Sequence, residues 1–216
     1  RLTPGARAVS TVAAVASPAA GGVAEAKKAL RRRVRDTRSA LDAGDLAQAA
    51  RGLRDVLLVA PEVAGAGRVA AYVSVGREPG TGPLIEELSD RGVEVLLPLL
   101  QNDGDLDWAL YEGPRALARV ARGLLEPTGE QLGLDAVASC DAVLVPGLAV
   151  DRGGSRLGRG GGSYDRALAR VGARAFTCVL LHDGEVLDLP VPRAAHDVRV
   201  AAAATPTALY RLRRIQ

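Results

Sequence analysis

Cysteine, histidine and aromatic residues are scarce in this chain. Its 216 residues include two cysteines, Cys140 and Cys178, and neither forms part of a Cys-x-x-Cys pair. This excludes a disulfide framework and a cysteine zinc site, so we expect two buried thiols in a reducing compartment. The two histidines, His182 and His196, have no partner at metal-ligand spacing. Aromatic residues make up 3% of the chain, which argues against a stacking platform for single-stranded nucleic acid.

Long apolar runs and a strong charge excess are also missing. No stretch approaches the roughly 20 apolar residues of a membrane span. Lys and Arg number 28 against 25 Asp and Glu, for a formal net charge of +3. That balance predicts a local basic site for an anion rather than a surface that coats nucleic acid. We therefore expect a cytoplasmic protein with no nucleic-acid partner and no membrane partner.

The chain divides into an irregular start and a regular remainder. Residues 1–22 are rich in Ala, Pro and Gly, and Ser17 and Pro18 interrupt their apolar run. The run is shorter than the roughly 7–15 residues of a secretory signal, so the segment predicts a disordered extension. Residues 23–216 contain no internal repeat and no linker, which predicts a single domain.

Helix and strand patterns alternate along this domain. They predict helices over residues 25–41, from an N-cap at Asp45 to Val59, over 82–92, from Ser163 to Val171, and from near Pro206 to the C-terminus. Strands are predicted over residues 68–75, 93–98, 106–111, 141–147, 175–181 and 198–204. The alternation predicts an α/β fold, a three-layer sandwich with a mostly parallel, Rossmann-like mixed sheet.

One segment, "SRLGRGGGSYDR" over residues 155–166, concentrates glycine and positive charge between a predicted strand and a predicted helix. Glycines let backbone N–H groups approach phosphate oxygens, and the helix N-terminus adds a favourable dipole. Arg156 and Arg159 suit phosphate through their planar forks, and Asp165 suits a Mg²⁺ that bridges phosphates. The segment predicts a polyphosphate cradle, although no Lys follows the glycines as a P-loop requires. A flexible turn, with Asp165 as a first-turn helix acid, is the alternative.

The wider segment "LVPGLAVDRGGSRLGRGGGSYDRAL", residues 144–168, resembles the signature of the 5-formyltetrahydrofolate cyclo-ligases, also called methenyltetrahydrofolate synthetases. "AKKALR", "YVSVGREPGT", "LEP" and "LPVPRAAHD" resemble further stretches of that family in the same order. The resemblance implies a monomeric enzyme that cyclises 5-formyltetrahydrofolate to 5,10-methenyltetrahydrofolate. It also implies ATP as co-substrate, Mg²⁺ as cofactor, a phosphorylated formyl intermediate, and release of ADP and phosphate.

The resemblance also assigns roles by position. ATP-binding residues would be Lys27, Arg31, Arg156, Leu157, Gly158, Arg159, Gly160, Gly161, Gly162, Ser163 and Tyr164. Lys27, Arg156 and Arg159 among these would be catalytic. Folate-binding residues would be Val73, Glu78, Arg159, Gly160, Gly161, Gly162 and Ser163. The magnesium ligands would be Asp165 and Asp197.

Some features favour other interpretations. Ser163 stands where the family usually has a Tyr, and Val150 stands where it usually has a Phe. A family member that binds nucleotide or folate without this activity is therefore the main alternative. Lys27, Arg31 and Arg35 lie on one helical face, a pattern also typical of a solvated surface. The basic run over residues 27–38 is the only support for a third interpretation, a nucleic-acid-binding protein.

Overall fold

The computed structural model describes residues 22–213, apart from the side chain of Arg122. The predicted extension, residues 1–22, lies outside this range except for Gly22, whose carbonyl accepts the Glu25 and Ala26 amides. The helices are α1 (Val23–Ser39), α2 (Ala43–Leu58), α3 (Pro61–Ala64), α4 (Gly82–Asp90) and α5 (Ser163–Arg170), with 3-10 turns at Pro114–Ala116, Ala121–Gly123 and Leu134–Ser139. Within this range, no helix has the length and apolar character needed to cross a bilayer.

The strands form one large sheet and two small ones. In chain order they are β1 (Arg68–Ala70), β2 (Glu94–Leu100), β3 (Leu106–Leu110), β4 (Leu117–Arg119), β5 (Leu125–Pro127), β6 (Ala142–Pro146), β7 (Ala149–Asp151), β8 (Arg156–Leu157), β9 (Phe176–Leu180), β10 (Val186–Leu187), β11 (Ala202–Ala204) and β12 (Leu209–Arg211). The large sheet has the order β12-β11-β9-β6-β1-β2-β3. Its five inner strands are parallel, and β12 and β3 are antiparallel edges. The predicted mostly parallel mixed sheet is confirmed.

Helices cover both faces of the large sheet, because its strands carry apolar side chains on alternate sides. On β6, Ala142 and Leu144 belong to the core shared with α2 and α4. Val143 and Val145 point the other way, into a core shared with α5 and Trp108. The result is a three-layer sandwich, in which Cys140 and Cys178 are buried thiols as expected.

A third, smaller core holds α1 against the small sheet β10-β7-β8. Leu30 and Val34 of α1 pack there with Leu157 of β8. Farther along α1, the buried Arg38 donates through Nε and Nη2 to the carboxylate of Glu185, both at 2.7 Å. Burial opposes the charge of Arg38, but the hydrogen bonds and negative charge of Glu185 dominate and raise its pKa. These contacts fix α1 beside the glycine-rich segment.

Three sequence predictions about secondary structure are corrected. The helix predicted after Pro206 is wrong, because this segment forms β12 and pairs with β11. The second helix has Asp42 as its N-cap, and Asp45 is the third helical residue of a capping box. The strand predicted over residues 68–75 ends at Ala70, and the chain beyond it turns toward the site described next.

Candidate active site

The glycine-rich segment forms a short connection between β8 and α5. Gly160 and Gly162 have φ values of +107° and +73°, which residues that carry a Cβ rarely adopt. Gly162 is the N-cap of α5 and lies beside the Arg166 guanidinium, while Gly160 lies beside that of Arg31. The glycines thus allow a tight turn packed between arginines, just ahead of a helix N-terminus. This is the strand-loop-helix arrangement that the sequence predicts.

A cavity of about 340 Å³ lies on one side of this loop. Its walls include apolar side chains from the second and third strands, Leu100 and Leu106, and the rings of Tyr72 and Tyr164. Its polar groups include the carboxylates of Glu78 and Glu126 and, next to the loop, the charged side chains of Arg156, Arg159 and Asp165. A mostly apolar cavity with a few fixed polar groups is typical of a site for an organic ring system.

A second cavity, of about 560 Å³, also borders the loop and has a different character. Four cationic side chains line it, together with the carboxylates of Asp165 and Asp197. The cations are Lys27, Arg31, Arg156 and Arg166. Arginines, a lysine and exposed glycine backbone are groups that bind phosphate. This cavity is therefore suited to a polyphosphate.

The two cavities share one wall. Gly158, Gly160–Gly162, Arg156 and Asp165 line both of them. Arg156 is almost fully buried there, with Nη1 donating to the Pro146 carbonyl at 3.1 Å and Nη2 to Asp165 Oδ1 at 3.0 Å. Its guanidinium is consequently fixed at the boundary between an apolar cavity and a cationic one.

Each carboxylate of the predicted site is bound to a cation of the same site. Lys27 Nζ contacts Asp197 Oδ2, and Arg159 Nη2 lies 2.9 Å from Glu78 Oε1. Burial alone would raise the pKa of Asp197, but hydrogen bonds from Lys27 and the Ala194 amide hold it below its ordinary value. Asp197 is therefore ionised at neutral pH, as a metal ligand must be.

Two phenols lie close to Glu78. Burial, reinforced by the negative charge of Glu78, raises the pKa of both Tyr72 and Tyr164 above the ordinary tyrosine value. Their rings meet edge to face with centroids 6.5 Å apart. Both side chains are neutral at physiological pH, so any hydrogen bonding by their hydroxyls does not involve a phenolate.

The chain matches the 5-formyltetrahydrofolate cyclo-ligase family over residues 23–206. A protein named 5-formyltetrahydrofolate cyclo-ligase from Mycolicibacterium smegmatis is 42% identical over 143 residues, covering 64% of this chain and 73% of that protein. The protein of the same name from Escherichia coli K12 is 30% identical over 157 residues, covering 71% and 86%. The chain belongs to the 5-formyltetrahydrofolate cyclo-ligase family. The predicted family and enzyme class are thereby confirmed.

Solved structures agree with this membership of the cyclo-ligase family. The NMR structure of Aquifex aeolicus 5,10-methenyltetrahydrofolate synthetase has a TM-score of 0.75 and 29% identity, covering 87% of this chain and 93% of that one. The Mycoplasma pneumoniae 5,10-methenyltetrahydrofolate synthetase has a TM-score of 0.65 and covers 83% and 98%. At 17% identity, the second likeness supports the fold alone.

The residues assigned by resemblance to the cyclo-ligase family divide between the two cavities. Those on the first cavity only are Val73, Glu78, Arg159, Ser163 and Tyr164. Those on the second only are Lys27, Arg31 and Asp197. Leu157 lines neither cavity, because its side chain is buried in the small core beside α1. Arg159, Ser163 and Tyr164, which the resemblance assigns to ATP, line the first cavity and not the second. The resemblance also assigns Arg159 and Ser163 to folate.

Several cavity residues were not assigned from the cyclo-ligase resemblance. Tyr72 and Glu126 line the first cavity, and Arg166 and His196 line the second. Glu126 belongs to the "LEP" stretch, and its Oε1 accepts the Leu100 amide at 3.0 Å. The sequence signal that could have identified Arg166 is its position directly after Asp165 in the signature. Trp108 is a buried core residue and lines neither cavity.

Proposed function

We propose that this cyclo-ligase family member converts 5-formyltetrahydrofolate to 5,10-methenyltetrahydrofolate with ATP and Mg²⁺, releasing ADP and phosphate. The observation that carries the proposal is the shared wall. An apolar cavity with a buried carboxylate and a cationic cavity meet at one glycine-rich loop and one buried arginine. That arrangement suits the transfer of a phosphoryl group between two substrates held in adjoining cavities.

The chemistry explains the need for ATP. The formyl group on N5 is amide-like, and its oxygen is a poor leaving group. Attack of that oxygen on the γ-phosphorus forms an O–P bond and releases ADP. The N10 lone pair then attacks the activated carbon and closes the ring, N10 loses its proton, and the C–O bond breaks to release phosphate. Phosphoryl transfer of this kind depends on positioning and charge neutralisation.

The residues of the two cavities supply those requirements. The pterin ring would occupy the first cavity, where the Glu78 carboxylate can accept hydrogen bonds from its N–H groups. The phosphate chain would occupy the second, against Lys27, Arg31 and the exposed backbone of the glycine loop. Arg156, which borders both, would neutralise charge on the transferred group.

Asp165 and Asp197 fit the predicted magnesium site. Both line the second cavity, which we take as the nucleotide cavity. Within the described part of the chain, the carboxylate of each accepts hydrogen bonds through a single oxygen, Asp165 Oδ1 and Asp197 Oδ2. Three or more metal-binding side chains do not cluster anywhere in residues 22–213. Mg²⁺ commonly takes one or two carboxylates plus substrate phosphates and waters, so two are enough. When bound, Mg²⁺ neutralises phosphate charge.

The test is a coupled measurement of three products. Formation of methenyltetrahydrofolate, ADP and phosphate from 5-formyltetrahydrofolate should be equimolar and should need both ATP and Mg²⁺. Asp188→Asn, which alters an exposed ion pair with Arg152, serves as a matched control and should behave as the unsubstituted chain. Nucleotide binding without any of the three products would instead favour the family member that lacks this activity. Monomeric state and cytoplasmic location stay predictions.

A further inference from the structure

Arg166 is a cavity residue with spare hydrogen-bonding capacity. It lines the second cavity and not the first. Its Nη2 donates to the Gly104 carbonyl at 2.5 Å, and its Nε lies 3.8 Å from Asp105 Oδ1. In the part of the chain that the structure describes, Nη1 and Nε of Arg166 make no hydrogen bond. The guanidinium is therefore anchored at one end with its other donors unused.

Two glycines leave room for that guanidinium. A Cβ on Gly104 would lie 3.0 Å from Nη2, and a Cβ on Gly162 would lie 3.0 Å from Nη1. Both glycines have positive φ, at +82° and +73°. Arg166 thus lies between the turn before β3 and the N-cap of α5, and its side chain is 41% exposed and accessible to a ligand.

The positive charge of Arg166 is balanced only in part, by a long ion pair with Asp105. Arg170 donates to both oxygens of Asp105 at 2.7 and 3.0 Å, so Asp105 is more closely paired with Arg170 than with Arg166. These bonds are the main reason why the pKa of Asp105 is lowered. Arg166 also lies in the first turn of α5, where the helix dipole disfavours a cation. An anion in the second cavity would relieve this unfavourable placement.

We infer that Arg166 is a further phosphate-binding residue of the nucleotide cavity, which contacts the polyphosphate through Nη1 and Nε. This inference rests on the proposed function, because it takes the second cavity as the nucleotide site. Arg166 would contact the side of the phosphate chain nearest α5, while Lys27 and Arg31 of α1 contact the other side. The cavity then holds the polyphosphate between two helices.

The experiment compares two arginines of the same helix. Arg166→Gln should raise the Kd of both ATP and inorganic tripolyphosphate by about tenfold, as expected for loss of a hydrogen bond to a charged group. Arg166→Lys should restore part of the affinity, because it keeps the charge without the fork. Arg170 pairs with the same Asp105 as Arg166 but lines neither cavity. Arg170→Gln should therefore lower the melting temperature and leave both Kd values within about twofold. Binding is measured by calorimetry.

Each outcome is decisive. Unchanged affinity in Arg166→Gln, or an equal loss in Arg170→Gln, would overturn the inference while leaving the proposed function intact. Loss of ATP affinity without loss of tripolyphosphate affinity would also overturn it, since the contact would then be to the nucleoside. If the unsubstituted chain binds neither ligand, both proposals fail. If binding depends on Arg166 but no methenyltetrahydrofolate forms, only the proposed function fails.

Discussion

Arg159 Nη2 lies 2.9 Å from Glu78 Oε1, so the glycine-rich loop is tied directly to the carboxylate of the first cavity. The other oxygen of Glu78 accepts the Val75 amide at 2.8 Å. Glu78 is buried, whereas the Arg159 side chain is 54% exposed. A ligand that hydrogen-bonds to Glu78 must share the carboxylate with Arg159 or displace the Arg159 guanidinium. A displaced guanidinium would be available to bind phosphate.

The Glu78–Arg159 pair gives the first prediction. Glu78→Gln should weaken binding of 5-formyltetrahydrofolate by about tenfold or more, because charge-assisted bonds contribute about 1.5–3 kcal/mol. ATP affinity should not fall, since the substitution releases Arg159 rather than removing it. Calorimetric titration with each ligand separately checks this. An equal loss of affinity for ATP and folate would contradict the assignment of Glu78 to folate.

The loop glycines give the second prediction. A Cβ on Gly161 would meet nothing closer than Ser163 Oγ, at 3.7 Å, and its φ is not positive. Gly161→Val should therefore change the free energy of unfolding by only about 0.5 kcal/mol, yet obstruct the backbone that faces both cavities. We expect kcat/KM for ATP to fall by about tenfold or more. Full activity in this variant would show that the loop backbone does not approach the phosphates.

Gly162 provides a contrast to Gly161. Its φ of +73° and the Arg166 Nη1 atom at 3.0 Å leave little room for a side chain. Gly162→Ala should cost about 1–2 kcal/mol of stability through backbone strain. Melting curves of the two variants, measured together, separate a steric effect on the ligand from an effect on the fold.

Asp165 gives the third prediction. Asp165→Asn retains an oxygen that can accept the Arg156 and Val198 hydrogen bonds but removes the charge of a magnesium ligand. Turnover should fall by about 10²-fold, since the metal supplies several kcal/mol of charge stabilisation, and the Mg²⁺ concentration for half-maximal activity should rise. A magnesium titration of activity, alongside thermal melts, checks this. If Asp165 were only a first-turn acid, the variant would lose about 0.3–1 kcal/mol of stability and keep its turnover.

The fourth prediction concerns His182, a buried residue whose Nε2 lies 3.1 Å from the Arg77 carbonyl. Burial, opposed in part by the charge of Glu185, lowers the pKa of this imidazole below its ordinary value. The unfolded chain therefore binds a proton at a higher pH than the folded one. The stabilising contribution of His182 is complete above about pH 6.5 and is lost as the pH falls through the folded pKa.

Chemical denaturation between pH 7.5 and 5 tests the His182 prediction. His182→Gln keeps a donor for the Arg77 carbonyl but cannot titrate, so its stability should depend less on pH than that of the unsubstituted chain. His196→Gln is the control, because that imidazole is largely exposed. Identical pH dependence in the unsubstituted chain and His182→Gln would contradict the prediction.

Much of the fold follows from local sequence signals. The apolar runs of β6 and β9 predict buried parallel strands, and the glycine-rich segment predicts a loop that leads into a helix. The structure contains these strands and this loop ahead of α5. The C-terminal segment is different, because Ala, Leu and Arg favour a helix there. Pairing with β11 decides its conformation: Leu209 packs on one face of the sheet and Tyr210 on the other. Tertiary pairing outweighs intrinsic propensity in such a short edge strand.

The candidate site could be predicted only in part, for a similar reason. The signature and the resemblance identify Arg156, Asp165 and Asp197, but spacing along the chain does not show which cavity each residue faces. The pairing of Arg159 with Glu78 joins segments that are distant in sequence. The anchoring of Arg166 on Gly104 depends on how the turn before β3 packs against α5. Contacts of this kind arise from the assembled layers.

The shared wall also bears on inhibitor design. A single stretch of loop backbone and one arginine border both cavities. With the substrates placed as we propose, a pterin-like group and a phosphate chain joined by a short tether would occupy both cavities at once. Once one half of such a bisubstrate compound is bound, the other half is present at a high effective concentration beside its own cavity. The affinity of such a compound would depend on how well its tether matches the separation of the two cavities, as well as on the contacts within each cavity.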